Sequence, residues 1–499
     1  MVRNCRSAGV IVGSMAMVFA AVTGRAQSNR VPVPSVGGPL PVTVQSYPFA
    51  AADHQMTAFD LAGAGYVEEE FLVSGTANVY DWQPDRSLKT RASGPYTTRI
   101  LVRRPRLASA FSGAVWVEPM YTPRRWDWPM MWGYLRDGLI ARGDAWVGVT
   151  MPGANLAGLK RFNPQRYATL AFANPTPGVP CAGTQNLSET EAGLRWDALS
   201  QVAALLKSTA TGRPLNQFRV GAVYLTVQAG DLETYMNAIH PVAHVYDGFL
   251  ARAPFTLTSI NRCAATPAAD DPRQVVRDVG VPVVAVAGEG DLVNTYVSRR
   301  ADSDAPGDRF RLYEVAGAAH IDRFAYLGFP AFADQAAAGN AQGTEEWPFA
   351  APCTPPVQLM NQSLLRVGYD VAMDALDKWA RRGTVPKRAA RVETTPGPNG
   401  TFTVVADSYG NGRGGVRTPY LDVPLGRYVT SSPGPGNCPE IGHFERFDSA
   451  RLQQLHGSFE RYAQQVRAAI ARRTSEGWLT KADAERLTKE LIEDERARW

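Results

Sequence analysis

Five cysteines and six histidines among 499 residues are few, and their spacing narrows the chemistry further. There is no C-x-x-C pair, which argues against the closely spaced thiolates of a structural zinc site. His240 and His244 stand four apart, but Pro241 lies between them, so they do not form the regular helical pair that two metal ligands need. No metal site is expected, and nothing else in the chain asks for a cofactor. Clustered charge is also lacking: 52 basic and 47 acidic residues leave a formal +5. That balance gives no reason to expect nucleic acid or an anionic membrane surface as partner. Beyond Val22 no apolar run is long enough to cross a bilayer, and no segment recurs with a fixed period.

What is present begins with a processing signal. Arg3 and Arg6, an apolar run from Ala8 to Val22, and Gly24-Arg25-Ala26 before Gln27 follow the order of a secretory signal peptide over residues 1–26, with cleavage expected near Ala26. An uncleaved anchor is the alternative. Cleavage removes three arginines and no acid, taking +5 to +2. It also removes Cys5, leaving Cys181, Cys263, Cys353 and Cys438 for a secreted or periplasmic protein. An even number in an oxidising compartment predicts two disulfides, with all three pairings open. No stable membrane insertion is expected after cleavage, and the sequence leaves the oligomeric state open.

With 45% hydrophobic residues the remaining chain can bury a large core. Its pattern predicts an α/β fold: a mostly parallel, doubly wound sheet preceded by antiparallel strands. One enlarged domain is read over residues 27–446, with cap insertions at about 152–190 and 325–356, and a helical C-terminal extension over 447–499. Residues 65–80 and 96–105 read as the early strands, with Glu68, Glu69 and Glu70 expected to face water. Residues 113–118 and 144–150 are buried-type strands flanking a helical stretch from Trp128 to Arg142, a strand-helix-strand crossover. Trp126, Trp128 and Trp132 are candidate walls of an acyl pocket, although aromatics at helical spacing are more often core. Ser188 with Glu191 predicts a capping box before the helix carrying Leu194 to Leu206.

From Phe218 to His240 the chain reads FRVGAVYLTVQAGDLETYMNAIH. Val220, Ala222, Val223 and Leu225 form a short apolar run, and from Ala229 the spacing of Leu232, Tyr235, Met236 and Ile239 becomes helical, so a strand gives way to a helix within about three or four residues. The pattern G-x-S-x-G, which marks a nucleophile on such a turn, occurs nowhere. The stretch resembles a family of secreted bacterial α/β-hydrolase-domain proteins in which G-x-S-Q-S-A-G runs into L-x-T-Y-x-N-A-x-H-P. Ala229, Gly230, Leu232, Thr234, Tyr235, Asn237, Ala238, His240 and Pro241 match without a gap. Thr226 then stands at the family serine, Tyr224 replaces the glycine two residues earlier, and Val227 and Gln228 replace Gln and Ser. Residues 65–80, 95–105 and 414–424 resemble the same family. A tyrosine at 224 is expected to crowd the tight turn, where a small residue is needed.

The later strands, 245–253, 281–288 and 310–317, deliver Glu289-Gly290-Asp291 and Ala318-Ala319-His320. The order nucleophile, acid, base is therefore available as Thr226, Asp291, His320, with Glu289 as the second choice of acid. The N–H of Val227 and one from Met120 or Tyr121 are the candidate oxyanion donors, and Gln228 is a candidate for orienting substrate. The resemblance implies an exported α/β-hydrolase acting on carboxylic esters or related acyl bonds, with a small-molecule acyl or ester substrate. Two rival readings follow from the missing serine. One is a non-catalytic binding protein on the same fold. In the other, His320 activates water directly.

Overall fold

A strand buried on both faces reads as an unbroken apolar run, and the centre of this molecule is built from such runs. In the computed structural model they are β4 (Ala114–Pro119), β5 (Ala145–Val149), β7 (Ala222–Gln228), β8 (Gly248–Arg252), β9 (Val283–Gly288) and β11 (Asp308–Val315). They lie in the order β5-β4-β7-β8-β9-β11, every neighbouring pair parallel. Antiparallel strands extend the β5 edge: β1 (Ser35–Gly37), β2 (Tyr66–Trp82) and β3 (Leu88–Pro105), with the short β6 (Ala171–Phe172) on β3. The antiparallel β10 (Ser303–Ala305) closes the other edge. The structure describes residues 1–2, 31–121, 125–228, 230–252, 257–292, 299–340, 353–356, 361, 364–397 and 402–499, with Val227 and Gln228 as backbone only. Residues 3–26 of the expected signal peptide lie outside these residues, as do 341–352 of the second insertion. Val31–Trp499 forms one compact unit. Among the described residues no helix is long and apolar enough to cross a membrane.

Helices cover both faces of the sheet. After β4 the chain runs through α1 (Met130–Arg142), β5, α2 (Asn155–Phe162) and α3 (Arg195–Leu206). After β7 come the short helices α4 (Asp231–Thr234) and α5 (His240–Ala243), then α6 (Phe332–Ala337) and the long α7 (Leu364–Arg382). Strand order reverses between β4 and β7, and in a sheet of this kind the crevice beyond the carboxyl ends at that reversal is where ligands are held.

Several local expectations are corrected. Glu68 and Glu70 are not solvated: Glu70 is fully buried between Arg99 at 2.6 Å and Arg166 at 2.5 Å, and Glu68 pairs with Arg103 at 2.7 Å. Arg99 and Arg103 sit on β3 and Arg166 lies after α2, so the acidic run ties β2 to β3 and to the segment after α2. The Ser188–Glu191 box does not form. Glu191 itself accepts from the Gly193 N–H at 2.8 Å, and Ser188 donates to the Thr190 carbonyl at 2.9 Å. Tyr224 does not crowd a turn, because position 224 lies within β7. Its ring packs on Trp116 at 4.6 Å, its hydroxyl donates to Asp377 on α7 at 2.8 Å, and the register partner is Gly248. A Cβ at Gly248 would stand 3.3 Å from the Tyr224 ring and 2.9 Å from Leu376, so the glycine makes the room that the tyrosine fills.

Candidate active site

Asp291 and His320 meet at the carboxyl edge. β9 ends at Gly288 and turns at once through Glu289–Asp291, while β11 ends at Val315 and the small residues Gly317, Ala318 and Ala319 carry the chain to His320. The two loops are hydrogen-bonded through Gly290 N–H to the Ala318 carbonyl at 2.9 Å. A Cβ at Gly290 would lie 3.0 Å from the His320 amide, so a residue without a side chain permits the approach. His320 Nδ1 is bonded to Asp291 Oδ1, and Asp291 Oδ2 accepts from the Gly288 N–H at 2.5 Å. The carboxylate is 1% exposed and the imidazole 15%, an oriented base with one edge toward solvent. Glu289 is engaged elsewhere: it accepts from the Gly317 N–H at 2.7 Å, and burial pushes its carboxyl up to about 6.

The histidine loop is braced by parts of the chain far downstream. Ile321 donates to the Glu440 carbonyl at 2.9 Å and pairs as a parallel bridge with Ile441. Asn361 receives no solvent: its side chain donates to the Gly317 carbonyl at 2.7 Å and its N–H to the Gly442 carbonyl at 2.8 Å. A disulfide joins Cys353 to Cys438 beside this brace, and a second joins Cys181 in the first insertion to Cys263 in the loop after β8, which selects one of the three pairings.

Thr226 lies inside β7, opposite Leu250 of β8, and is fully buried. Its hydroxyl makes no hydrogen bond, to His320 or to any other group. β7 runs on to Gln228, so the turn into α4 falls two residues beyond Thr226, not at it. Sequence reasoning ended the strand early because Thr226 and Gln228 interrupt the apolar run. The backbones of Val227 and Gln228 pair with Ala251 and Arg252; their side chains lie outside the described residues. Met120 donates its N–H to the Val149 carbonyl at the end of β5 at 2.9 Å and Tyr121 to the Trp128 carbonyl across its own loop at 3.0 Å, so both candidate oxyanion donors are engaged. Trp126 and Trp128 pack edge-on against Phe329, and Trp132 lies against Trp146, all three in the core.

Two charged residues at strand ends went unread in the sequence, although each closes an otherwise apolar run. Glu118, at the end of β4, accepts from the N–H groups of Met131 and Trp132 at the start of α1 and from the Trp146 indole at 2.8 Å. Burial nevertheless pushes its carboxyl up to about 7. Arg252, at the end of β8, donates to the His320 carbonyl, with its guanidinium 5.2 Å from the Tyr134 ring. Among the described residues no cluster of histidine, cysteine and carboxylate side chains is arranged to hold a metal ion.

A family model described as an alpha/beta hydrolase domain matches residues 36–489. A search of curated proteins finds no match. Among solved structures, esterase Est22 is 13% identical with a TM-score of 0.29, covering 57% of this chain and 81% of that one. An alpha-beta serine hydrolase homologue from Coxiella burnetii is 9% identical with a TM-score of 0.26, covering 44% and 82%. A putative dienelactone hydrolase from Klebsiella pneumoniae subsp. pneumoniae MGH 78578 is 14% identical with a TM-score of 0.24, covering 49% and 85%. Values of this size carry no argument about chemistry, which rests on the residues of the site.

Proposed function

Because the chain belongs to the alpha/beta hydrolase domain family, we propose that it hydrolyses carboxylic esters or related acyl bonds as an exported protein, with His320 as general base and Asp291 as the group that orients it. The observation that carries this reading is the Asp291–His320 bond at the ends of β9 and β11, with the carboxylate buried and the imidazole reaching solvent. A carboxylate on Nδ1 fixes the tautomer that leaves Nε2 as the proton acceptor and stabilises the imidazolium that forms. In this reading Thr226 attacks the acyl carbon, His320 takes its proton and returns it to the leaving alcohol, and the N–H of Val227 faces the oxyanion with a second donor from the loop at Met120 and Tyr121. That second donor has to exchange its present bond for one to the oxyanion.

A second reading is favoured by the buried, unbonded hydroxyl of Thr226. Here His320 deprotonates a water that attacks the acyl carbon, and Gln228 helps to orient the substrate. The variants Thr226→Ala and His320→Ala, assayed on a panel of short-chain esters with a fluorophosphonate probe, separate the two. Threonine attack predicts that both variants lose turnover and that labelling disappears with Thr226. Water attack predicts that turnover survives Thr226→Ala and fails with His320→Ala. A folded protein that neither hydrolyses nor is labelled leaves a binding protein on a hydrolase fold.

A further inference from the structure

We propose that Arg252 is an anion-binding group of this site, and that the substrate is an acyl compound carrying its own carboxylate near the scissile bond. The substrate half rests on the hydrolytic reading above; the anion half does not.

Eight of the described arginines are buried, and seven of them have a carboxylate within ion-pair distance, as Arg99 has Glu70 and Arg103 has Glu68. Arg252 is the exception among them. It is 2% exposed, and although Asp291 and Asp322 are near enough to favour its charge, neither is within ion-pair distance of its guanidinium. Nη2 donates to the His320 carbonyl, Nη1 faces the Met130 sulfur at 3.1 Å, a weak acceptor, and Nε has no partner. The nearby carboxylates do not close on it. Asp291 is taken by His320 and Gly288, and Asp322 uses one oxygen to accept from the Phe324 N–H at 2.8 Å while the other stays unpartnered. The buried hydroxyl of Tyr369, whose ring lies 5.2 Å from that of Tyr134 beside Arg252, is unpartnered as well.

A buried cation is ordinarily retained with its counter-charge in contact, because desolvation is otherwise uncompensated. This fold supplies contact partners to seven such groups and withholds one from the eighth, which stands where β8 ends opposite Gln228, bonded to the loop of the general base. The unpartnered Nε–H, together with the second N–H of Nη2, can meet the two oxygens of a carboxylate in a planar, paired geometry. The Tyr369 hydroxyl is a second donor for the same anion.

Calorimetric titration of the full chain with glutarate, against neutral glutaramide at equal ionic strength, reads the site without turnover. Glutarate should bind and glutaramide should not. Arg252→Met should weaken glutarate by at least about tenfold, Arg252→Lys by less, and Tyr369→Phe by a smaller factor with the charge intact. In turnover, the preference in kcat/KM for monomethyl over dimethyl glutarate should fall by about tenfold or more in Arg252→Met. Arg252-dependent glutarate binding in a protein that cleaves no ester keeps the anion site and removes the hydrolytic reading. His320-dependent hydrolysis with no preference for the charged ester, and equal glutarate affinity in wild type and variants, overturns the anion site while hydrolysis stands; Arg252 is then a brace for the His320 loop. If Arg252→Met does not melt cooperatively, Arg252→Lys and Tyr369→Phe decide, and wild-type glutarate affinity in both overturns the proposal.

Discussion

Asp291 holds two groups at once, the imidazole of His320 and the amide of Gly288, and the two bonds make different demands on it. Asp291→Asn can keep the amide contact but presents an N–H to Nδ1 in one orientation and so favours the wrong tautomer. It should lower kcat by roughly 10³- to 10⁴-fold on any ester the protein cleaves, with the melting temperature nearly unchanged. Tyr224→Gly is the opposite case. Read from sequence it relieves a crowded turn; with position 224 inside β7 it removes a ring from Trp116 and a hydroxyl from Asp377. We expect a loss of about 3–5 kcal/mol in denaturant unfolding and no gain in ester turnover, with or without Thr226→Ser. That Asp291 and His320 meet was legible because each follows a buried-type strand in the right order. Where β7 ends was not, since a threonine and a glutamine continue a strand as readily as they end one, and only pairing to Leu250 and Arg252 shows that it goes on.

At the scale of elements, charge at strand ends was the signal the sequence carried and its reading omitted. Glu118, next to last in β4, receives N–H groups from the first turn of α1, so the strand and the helix that packs on it are joined through one carboxylate. Burial raises that carboxyl from 4.5 to about 7, against the lowering effect of its three bonds. A folded-state value above the unfolded one means that the folded chain holds the proton more tightly. The stability it contributes is fully present below about pH 4.5 and is lost as pH rises toward 7, about 3 kcal/mol in all. Glu118→Gln has no proton to lose. Across pH 4.5 to 8 its melting temperature should therefore climb relative to wild type, and a constant difference would contradict the assignment. The acidic run on β2 was misread for a related reason: its partners, Arg99, Arg103 and Arg166, are up to 96 residues away in the chain, and no local pattern announces them. The sheet order needed no such partners, because apolar runs and crossovers specify it directly.

For the whole molecule, the disulfides are the widest-ranging ties. Each closes a loop of more than 80 residues, Cys181 to Cys263 over 82 positions and Cys353 to Cys438 over 85. Cysteine count predicted two bonds and could not rank their pairings; the fold does so by bringing Cys181 to Cys263 and Cys353 to Cys438. Replacing Cys353 and Cys438 together by serine should cost about 2–5 kcal/mol, and non-reducing peptide mapping should recover these two cross-links in the oxidised protein. The Cys353–Cys438 bond stands beside the segment that braces Ile321, one residue beyond His320. A ribosome building this chain from its amino end releases every strand of the main sheet before it has made Glu440, Ile441 and Gly442. The newborn sheet therefore owns a histidine and an aspartate without the residues that hold the histidine still, and any fragment truncated before residue 440 carries both members of the pair on an unsupported loop.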